Sequence, residues 1–313
     1  MPIKLGSTNF GNIYLGSTKI GEAYLGSVKV YGSQPPPPVL PAKTIRCKFT
    51  TDYTPTMGDT QTLVDADANI WDIYKSSSDW TSLFEDADPQ RAHLERVIGA
   101  NTTGVTRMWR MFYDCRNLTY VPLFDTSSVY NTQSMFGECR NLTSVPLFDT
   151  SSVTDMSSMF FNCDGLTTVP LFDTSSATNM EYMLAYCDNL TTVPLFDTSS
   201  ATQMNGMFRG CTNIASVPLL DTSDVTDMSE MFYNCSKLTS VPLFDTSSVT
   251  KMDYMLMNCY KVQSGALALY NQASTQTTPP PFYTDCFKNC GRDTASGSAE
   301  LAQIPASWGG TGA

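Results

Sequence analysis

Apolar and polar positions alternate along residues 107–260 in a pattern that returns every 24 residues. In one unit the apolar positions are Val153, Met156, Met159, Phe160, Cys163 and Leu166. Steps of three and one predict a short amphipathic helix whose apolar stripe faces inward. Leu166, Val169 and Leu171 then predict a short strand with all three side chains inward, and Pro170 limits its hydrogen bonding.

The phrase Val-Pro-Leu-Phe-Asp-Thr-Ser-Ser follows the same step. It begins at Val121, Val145, Val169, Val193 and Val241, with a variant at Val217. One such unit cannot bury its own apolar face, so consecutive units must stack. We therefore predict an α/β solenoid, a curved leucine-rich-repeat array of 24-residue units with a short strand and a short helix each. Strands pair at ~4.8 Å and helices at roughly 8–10 Å, which predicts a concave sheet.

These residues also carry a family resemblance. The run L-x-x-V-P-L followed by D-T-S-S-V-T-x-M-x-x-M-F-x-x-C, read from Leu142 to Cys163, resembles the BspA-type leucine-rich repeat. Repeats of this type occur in surface proteins of gut and oral bacteria and in phages that infect them. The resemblance implies adhesion and recognition, and it leaves the partner open because the family binds many.

The sequence divides into five segments. These are a β-rich attachment or oligomerisation segment (1–33), a Pro-rich linker (34–42), an N-terminal cap (43–106), the solenoid (107–260) and a C-terminal repeat and cap (261–313). The proline run of the linker favours extended polyproline II, a semi-rigid spacer, although it could also be a ligand for proline-recognition domains.

A second repeat, with a step of ten, occupies the first segment. Its Leu-Gly-Ser phrase recurs at Leu5, Leu15 and Leu25, and β-prone runs lie between the Gly-Ser turns. This predicts hairpins that dock on something larger or self-associate, with a flexible glycine-rich tail as the alternative. The repeat resembles N-terminal segments of phage structural proteins, which implies attachment to a virion capsid or tail protein. The candidate attachment residues are Leu5, Tyr14, Leu15, Tyr24 and Leu25.

The two end segments have local predictions of their own. In the cap, 44–50 and 69–74 read as strands, whereas 79–84 and 91–98 read as helices. After the solenoid, Cys286 and Cys290 predict one more turn of the repeat rather than a metal or redox pair. A final strand is predicted at 301–305, with Trp308 closing the end.

Charge narrows the classes of partner. Nineteen basic and 30 acidic residues give a net charge of −11, which disfavours nucleic acid and anionic membrane surfaces. No apolar run approaches the ~20 residues of a membrane span, so we expect no membrane insertion. The first residues lack the apolar core of a secretory signal, so we expect either prior processing or a route other than secretion.

A cysteine row and an aspartate row also follow the period. Cysteines recur at Cys115, Cys139, Cys163, Cys187, Cys211, Cys235 and Cys259. Parallel Cβ directions argue against disulfides, so we predict buried free thiols and no metal. Aspartates recur at Asp125, Asp149, Asp173, Asp197, Asp221 and Asp245. They predict turn-capping side chains, and calcium between the stacked carboxylates is the alternative.

The remaining rows supply the candidate binding residues. Phenylalanines at Phe124 and its equivalents predict stacked interior aromatics, with an exposed stripe as the alternative. A hydroxyl-rich strip faces outward from the predicted strands at Tyr120, Thr143, Thr167, Thr191 and Thr239. The near-identical units differ outside the predicted helices at Tyr182, Arg209, Tyr233 and Tyr254. Variation on an outward face points to a partner surface with Tyr and Arg anchors.

Catalytic motifs are missing from the sequence, and its one histidine, His93, is interpreted as an ordinary surface or capping residue, with a catalytic base as the alternative. We therefore expect neither enzymatic activity nor a cofactor. The sequence favours a virion-surface protein that is anchored by residues 1–33 and meets a host-surface protein or glycan through the solenoid. A bacterial cell-surface adhesin is the alternative.

Overall fold

The chain separates into two compact units, Met1–Pro41 and Ala42–Ala313. The computed structural model describes residues 14–15, 18–19, 24–25, 28–29, 39–50, 54–55, 60–84, 90–276 and 279–312. The first unit contains two antiparallel pairs, β1 (Tyr14–Leu15) with β2 (Thr18–Lys19) and β3 (Tyr24–Leu25) with β4 (Val28–Lys29). The candidate attachment residue Leu5 and the proline run 35–38 lie outside the described residues.

The second unit begins with a four-stranded antiparallel sheet. Its strands are β5 (Thr44–Phe49), β6 (Thr60–Asp65), β7 (Ile70–Tyr74) and β8 (Leu94–Asn101), in the order β6-β7-β5-β8. The strands predicted at 44–50 and 69–74 are thus present as β5 and β7. The helix predicted at 79–84 is wrong, because these residues form turns.

The helix predicted at 91–98 is also wrong. Only α1 (Gln90–His93) is helical, and the chain then enters β8. Leu94 and Val97 are both buried although they lie three residues apart. The register shift between Lys48 and Phe49 inserts one extra residue of β8 between them, so that Leu94, opposite Phe49, and Val97, opposite Cys47, both face inward. This bulge therefore produced the helical spacing that the sequence shows.

The repeat units stack as parallel coils, and a chain of β-bridges joins each coil to the next. The bridged positions are Arg107, Asn131, Asp155, Asn179, Gln203, Asp227 and Lys251. The first coil adjoins the N-terminal sheet, since the amide of Val97 in β8 donates to the carbonyl of Tyr120 at 3.1 Å. A single apolar core runs from Ile45 to Trp308.

No α-helix forms in the coils at residues 107–260, so the predicted helical segment is wrong. Ser158 and Asn162 have φ of 54° and 57°, in the left-handed region that an α-helix excludes. Alternate amides instead donate sideways at 2.7–3.0 Å to the carbonyls of Asn179, Glu181, Met183 and Ala185 in the next coil. The amides of Met159 and Phe161, which lie between them, donate three residues back along their own coil. Each segment is a series of reverse turns.

The inward stripe is nevertheless as predicted, since Val153, Met156, Met159, Phe160, Cys163 and Leu166 are all buried. The predicted curvature is no longer supported, because it was inferred from the spacing of packed helices and these coils contain no α-helix. The rings of Phe112 and Phe136 in adjacent coils stack with centroids 5.3 Å apart, well below the roughly 8–10 Å of packed helices.

The C-terminal end departs from the repeat in two helical insertions. These are α2 (Ala266–Ser274) and α3 (Ala295–Leu301). Between them Cys286 continues the coil stack, because its carbonyl accepts from the amide of Leu256 at 2.8 Å. The strand predicted at 301–305 is wrong, since Leu301 ends α3. Trp308 closes the end as predicted, buried and stacked on Tyr283 with centroids 4.0 Å apart.

Candidate binding surface

The cysteine thiols are confined to the interior. All ten cysteines are free and buried, which confirms the prediction of buried free thiols. The thiols are also hydrogen-bonded: Cys163 Sγ donates to the carbonyl of Phe136 at 3.0 Å. Burial raises the pKa of Cys211 to about 12, so the thiolate required for nucleophilic or metal-binding chemistry is disfavoured.

The phenylalanine row is also internal, as predicted. Phe172 is 2% exposed and stacks on Phe160 of its own coil, with centroids 5.9 Å apart. Leu220 takes the same buried place in the variant coil. These rings are therefore part of the core and not an exposed stripe.

Turn capping by the aspartate row is confirmed. Asp149 Oδ1 accepts from the amide of Ser151 at 3.1 Å and from its hydroxyl at 2.7 Å. These hydrogen bonds lower the pKa of Asp149, so the carboxylate is ionised at neutral pH. The described residues contain no group of three or more His, Cys, Asp or Glu side chains arranged to hold a metal ion.

A threonine next to five of the six aspartates ties adjacent coils together. Thr174 is fully buried, and its Oγ1 donates to the carbonyl of Asp197 in the next coil at 2.7 Å. The same contact is made by Thr126, Thr150, Thr198 and Thr222. Sequence reasoning assigned this threonine only to the turn and missed its lateral hydrogen bond.

The structure exposes a row of leucines that the sequence placed inside. Leu171 is 59% exposed, so the prediction that it faces inward is wrong. The amide of Phe172 donates to the carbonyl of Pro170 at 3.0 Å, which makes Leu171 the central residue of a three-residue turn. This turn directs Phe172 to the core and leaves Leu171 at the tip. The leucine row, 54–65% exposed, consists of Leu123, Leu147, Leu171, Leu195, Leu219 and Leu243.

The predicted hydroxyl strip is brought to the surface in successive coils. Thr143, Thr167 and Thr191 are exposed, Thr239 is half-buried, and Tyr120 is 43% exposed. Lateral bonds align parts of the strip: the amide of Thr191 donates to the carbonyl of Thr167 at 3.2 Å. The Arg96 guanidinium lies 5.0 Å from the Tyr120 ring centroid. A role of this strip in binding stays a prediction.

Three of the outward candidate residues, Tyr182, Arg209 and Tyr233, lie in one cluster on the surface formed by the reverse turns. Tyr182 Oη donates to Glu230 Oε2 at 3.1 Å, and Arg209 pairs with the same carboxylate. The Arg209 guanidinium also lies 4.8 Å from the Tyr233 ring centroid. Burial and Glu230 raise the pKa of Tyr182. The charges of Arg209 and Glu230 offset each other within the cluster. Tyr254 is half-buried outside these contacts.

Glycines in the next coil make room for Tyr182 of this cluster and for the nearby Tyr186. A Cβ on Gly206 would lie 2.2 Å from the Tyr182 ring, and one on Gly210 would lie 2.5 Å from the Tyr186 ring. Part of the sequence variation between coils therefore reflects packing between adjacent coils, in which a glycine of one coil leaves space for a tyrosine of the other. The sequence indicated a partner surface here, and the role of Tyr182, Arg209, Tyr233 and Tyr254 in binding stays a prediction.

Comparison with known proteins identifies the repeat. The family model described as "Mycoplasma protein of unknown function, DUF285" matches residues 78–192 and again residues 167–270. Together the two matches span more than half of the chain, and they support the resemblance to BspA-type repeats. No curated protein matches the chain.

A solved structure is also similar: a leucine-rich repeat protein from Eubacterium ventriosum ATCC 27560, with 16% sequence identity and a TM-score of 0.30. The similarity covers 52% of this chain and 58% of that one.

Of the helices in the described ranges, none has the apolar length that crossing a bilayer requires.

Proposed function

The chain belongs to the repeat family described as a mycoplasma protein of unknown function, and on that premise we propose that it is a non-enzymatic display protein. Its stacked coils bind a protein or glycan on a host surface. The supporting observation is the division of side chains within each coil: thiol, ring and buried threonine face inward, whereas leucine, aspartate and hydroxyl groups face outward. Repetition multiplies these weak outward contacts into one extended surface.

More specifically, we propose a virion-surface protein whose residues 1–33 attach it to a capsid or tail protein. Two antiparallel pairs with equivalent registers support it, because Tyr14 lies opposite Lys19 and Tyr24 lies opposite Lys29. Two-residue strands are too short to be stable alone, so they need a partner or further copies. Tyr14, Leu15, Tyr24 and Leu25 supply the paired backbone of this segment.

A bacterial cell-surface adhesin is the second candidate. The family description supports it, because mycoplasmas are bacteria. The outward rows of the coils would have the same use in both cases, and only the anchored end would differ.

One experiment separates these possibilities. An antibody to the full chain is applied to density-gradient fractions of phage particles and to intact cells of the strain that encodes the chain. Banding with intact particles would support the virion proposal. Labelling of phage-free cells would support the adhesin, and absence from both surfaces would exclude a display function.

A further inference from the structure

The leucine row is an exposed apolar strip, and a half-buried proline precedes each of its leucines. Six leucines, each 54–65% exposed, recur once per coil. Coils joined by β-bridges are ~4.8 Å apart, so the row extends over roughly 24 Å. Singly exposed leucines need no explanation, but a continuous row of them marks an interaction site.

An acidic border runs beside this strip. Each aspartate of the capping row lies two residues after a leucine of the leucine row, and all six aspartates are exposed. The pKa values of Asp125, Asp149, Asp197 and Asp221 are lowered, so these carboxylates carry charge at neutral pH. Their internal hydrogen bonds engage Oδ1. Like charges one coil apart repel one another, and cations from a partner would relieve that repulsion.

Resting on the proposed function, we infer that the leucine row is the docking site for a protein segment with an apolar stripe bordered by Lys and Arg. A basic amphipathic helix has this form, since its apolar stripe advances ~5.4 Å per turn against ~4.8 Å per coil. Leucine offers a glycan neither a hydrogen bond nor an aromatic face. A second copy of this chain would bring another net charge of −11 to the contact.

The test uses the full chain and a fluorescent synthetic helix of about 18 residues built from Leu and Lys, long enough to cover the row. The matched probe carries Glu in place of Lys. Anisotropy should show binding of the Lys probe, weakened by salt, and no binding of the Glu probe. The double variant Leu171→Ser with Leu195→Ser should bind the Lys probe at least tenfold more weakly. Asp173→Asn with Asp197→Asn should weaken binding severalfold and reduce its salt dependence.

The control variant is Leu63→Ser with Asp67→Asn, which changes an exposed leucine and an acid far from the row in sequence. Circular dichroism should match the wild type in every variant, and so should the urea midpoint of the leucine double variant and of the control, because these side chains are exposed. The aspartate double variant loses capping carboxylates, so its fold is checked by circular dichroism alone. Equal binding by wild type and the leucine double variant would overturn the inference. A wild-type dimer that the leucine variant dissolves would also overturn it, in favour of self-association.

Binding of the labelled chain to host cells separates this inference from the proposed function. Loss of cell binding in the leucine double variant supports both. If both proteins bind cells equally, the docking site is wrong and the display function stands. If the wild type binds no cell but binds the Lys probe as expected, the display function fails and the docking site stands.

Discussion

Cys163 Sγ lies 3.0 Å from the backbone carbonyl oxygen of Phe136 in the preceding coil, and the thiol donates a hydrogen bond to it. That carbonyl also accepts the amide of Cys139 at 3.1 Å. The same thiol contact is made by Cys139, Cys187, Cys211, Cys235 and Cys259. Cysteine therefore serves here as a small apolar residue that can also donate one weak hydrogen bond.

This arrangement predicts that the thiols are unreactive in the folded protein. Burial raises the pKa of Cys211 to about 12, and the other ladder thiols shift in the same direction. The native protein should therefore show no fast reaction with a thiol-specific disulfide reagent at pH 8, and the denatured protein should show ten reactive thiols. Fast reaction of any ladder cysteine in the native state would contradict the buried interior.

The lateral threonine bond should contribute measurably to stability. Thr174→Val keeps the shape of the side chain but removes the donor to the Asp197 carbonyl, so the free energy of unfolding should fall by ~1–3 kcal/mol. The control is Thr178→Val, because Thr178 is exposed and its Oγ1 contact is longer, at 3.3 Å. Urea unfolding measures both variants. Equal effects would show that burial of the bond does not matter.

The interior rings should tolerate leucine better than alanine. Phe172→Ala leaves a cavity against Phe160 and should lower the free energy of unfolding by ~3–5 kcal/mol. Phe172→Leu should lower it by only ~1–1.5 kcal/mol, because Leu220 fills this place in another coil. Thermal or urea unfolding would distinguish the two. Similar losses for both variants would mean that neighbouring coils cannot adjust.

Left-handed residues in the turns should favour glycine. Ser158 has a φ of 54°, and glycine takes the equivalent place at Gly206. Ser158→Gly should raise the free energy of unfolding by ~0.5–1 kcal/mol, because glycine enters this region without a Cβ clash. Ser158→Val should lower it by ~1–3 kcal/mol, since a β-branched side chain is strained there. Equal urea midpoints for the two variants would argue against the turn conformation.

Acid should weaken the turns that aspartates cap. Hydrogen bonds from serines lower the pKa of Asp149 and Asp197 in the folded chain. Their contribution to stability is complete above the unfolded pKa of ~3.9 and is lost as the pH falls through the lower folded value. The urea midpoint should therefore drop between pH 5 and pH 2.5, and Asp149→Asn with Asp197→Asn should flatten this drop.

Asp164→Asn is a control for which the expected pH dependence has the opposite sign. Burial and the neighbouring Asp188 raise its pKa, so its ionised form is disfavoured in the folded chain. Asp164→Asn should therefore raise the urea midpoint at pH 7 and lose this advantage in acid. A lower midpoint at pH 7 would show that the carboxylate has a favourable partner.

Several features of the fold were predictable from sequence. The period, the inward stripe, the buried thiols and the aspartate turns each repeat once per coil, so a local preference appears many times over. The hydroxyl strip could be predicted for the same reason. The leucine row could not, because Pro170 and Leu171 form a turn at a position where strict alternation would continue the strand.

That the coils stack, how long each coil is and which residues fill the core can all be read from the periodic apolar pattern, because burial leaves that pattern in the chain. How the backbone amides are satisfied depends on the packing of one coil against the next. The spacing of Met156, Met159 and Phe160 is that of a helix, in which amides bond within the segment, but a neighbouring coil within hydrogen-bonding distance supplies carbonyls to every second amide. That sideways bonding selects turns over helix. In the same coils, a three-residue turn places the leucines in solvent.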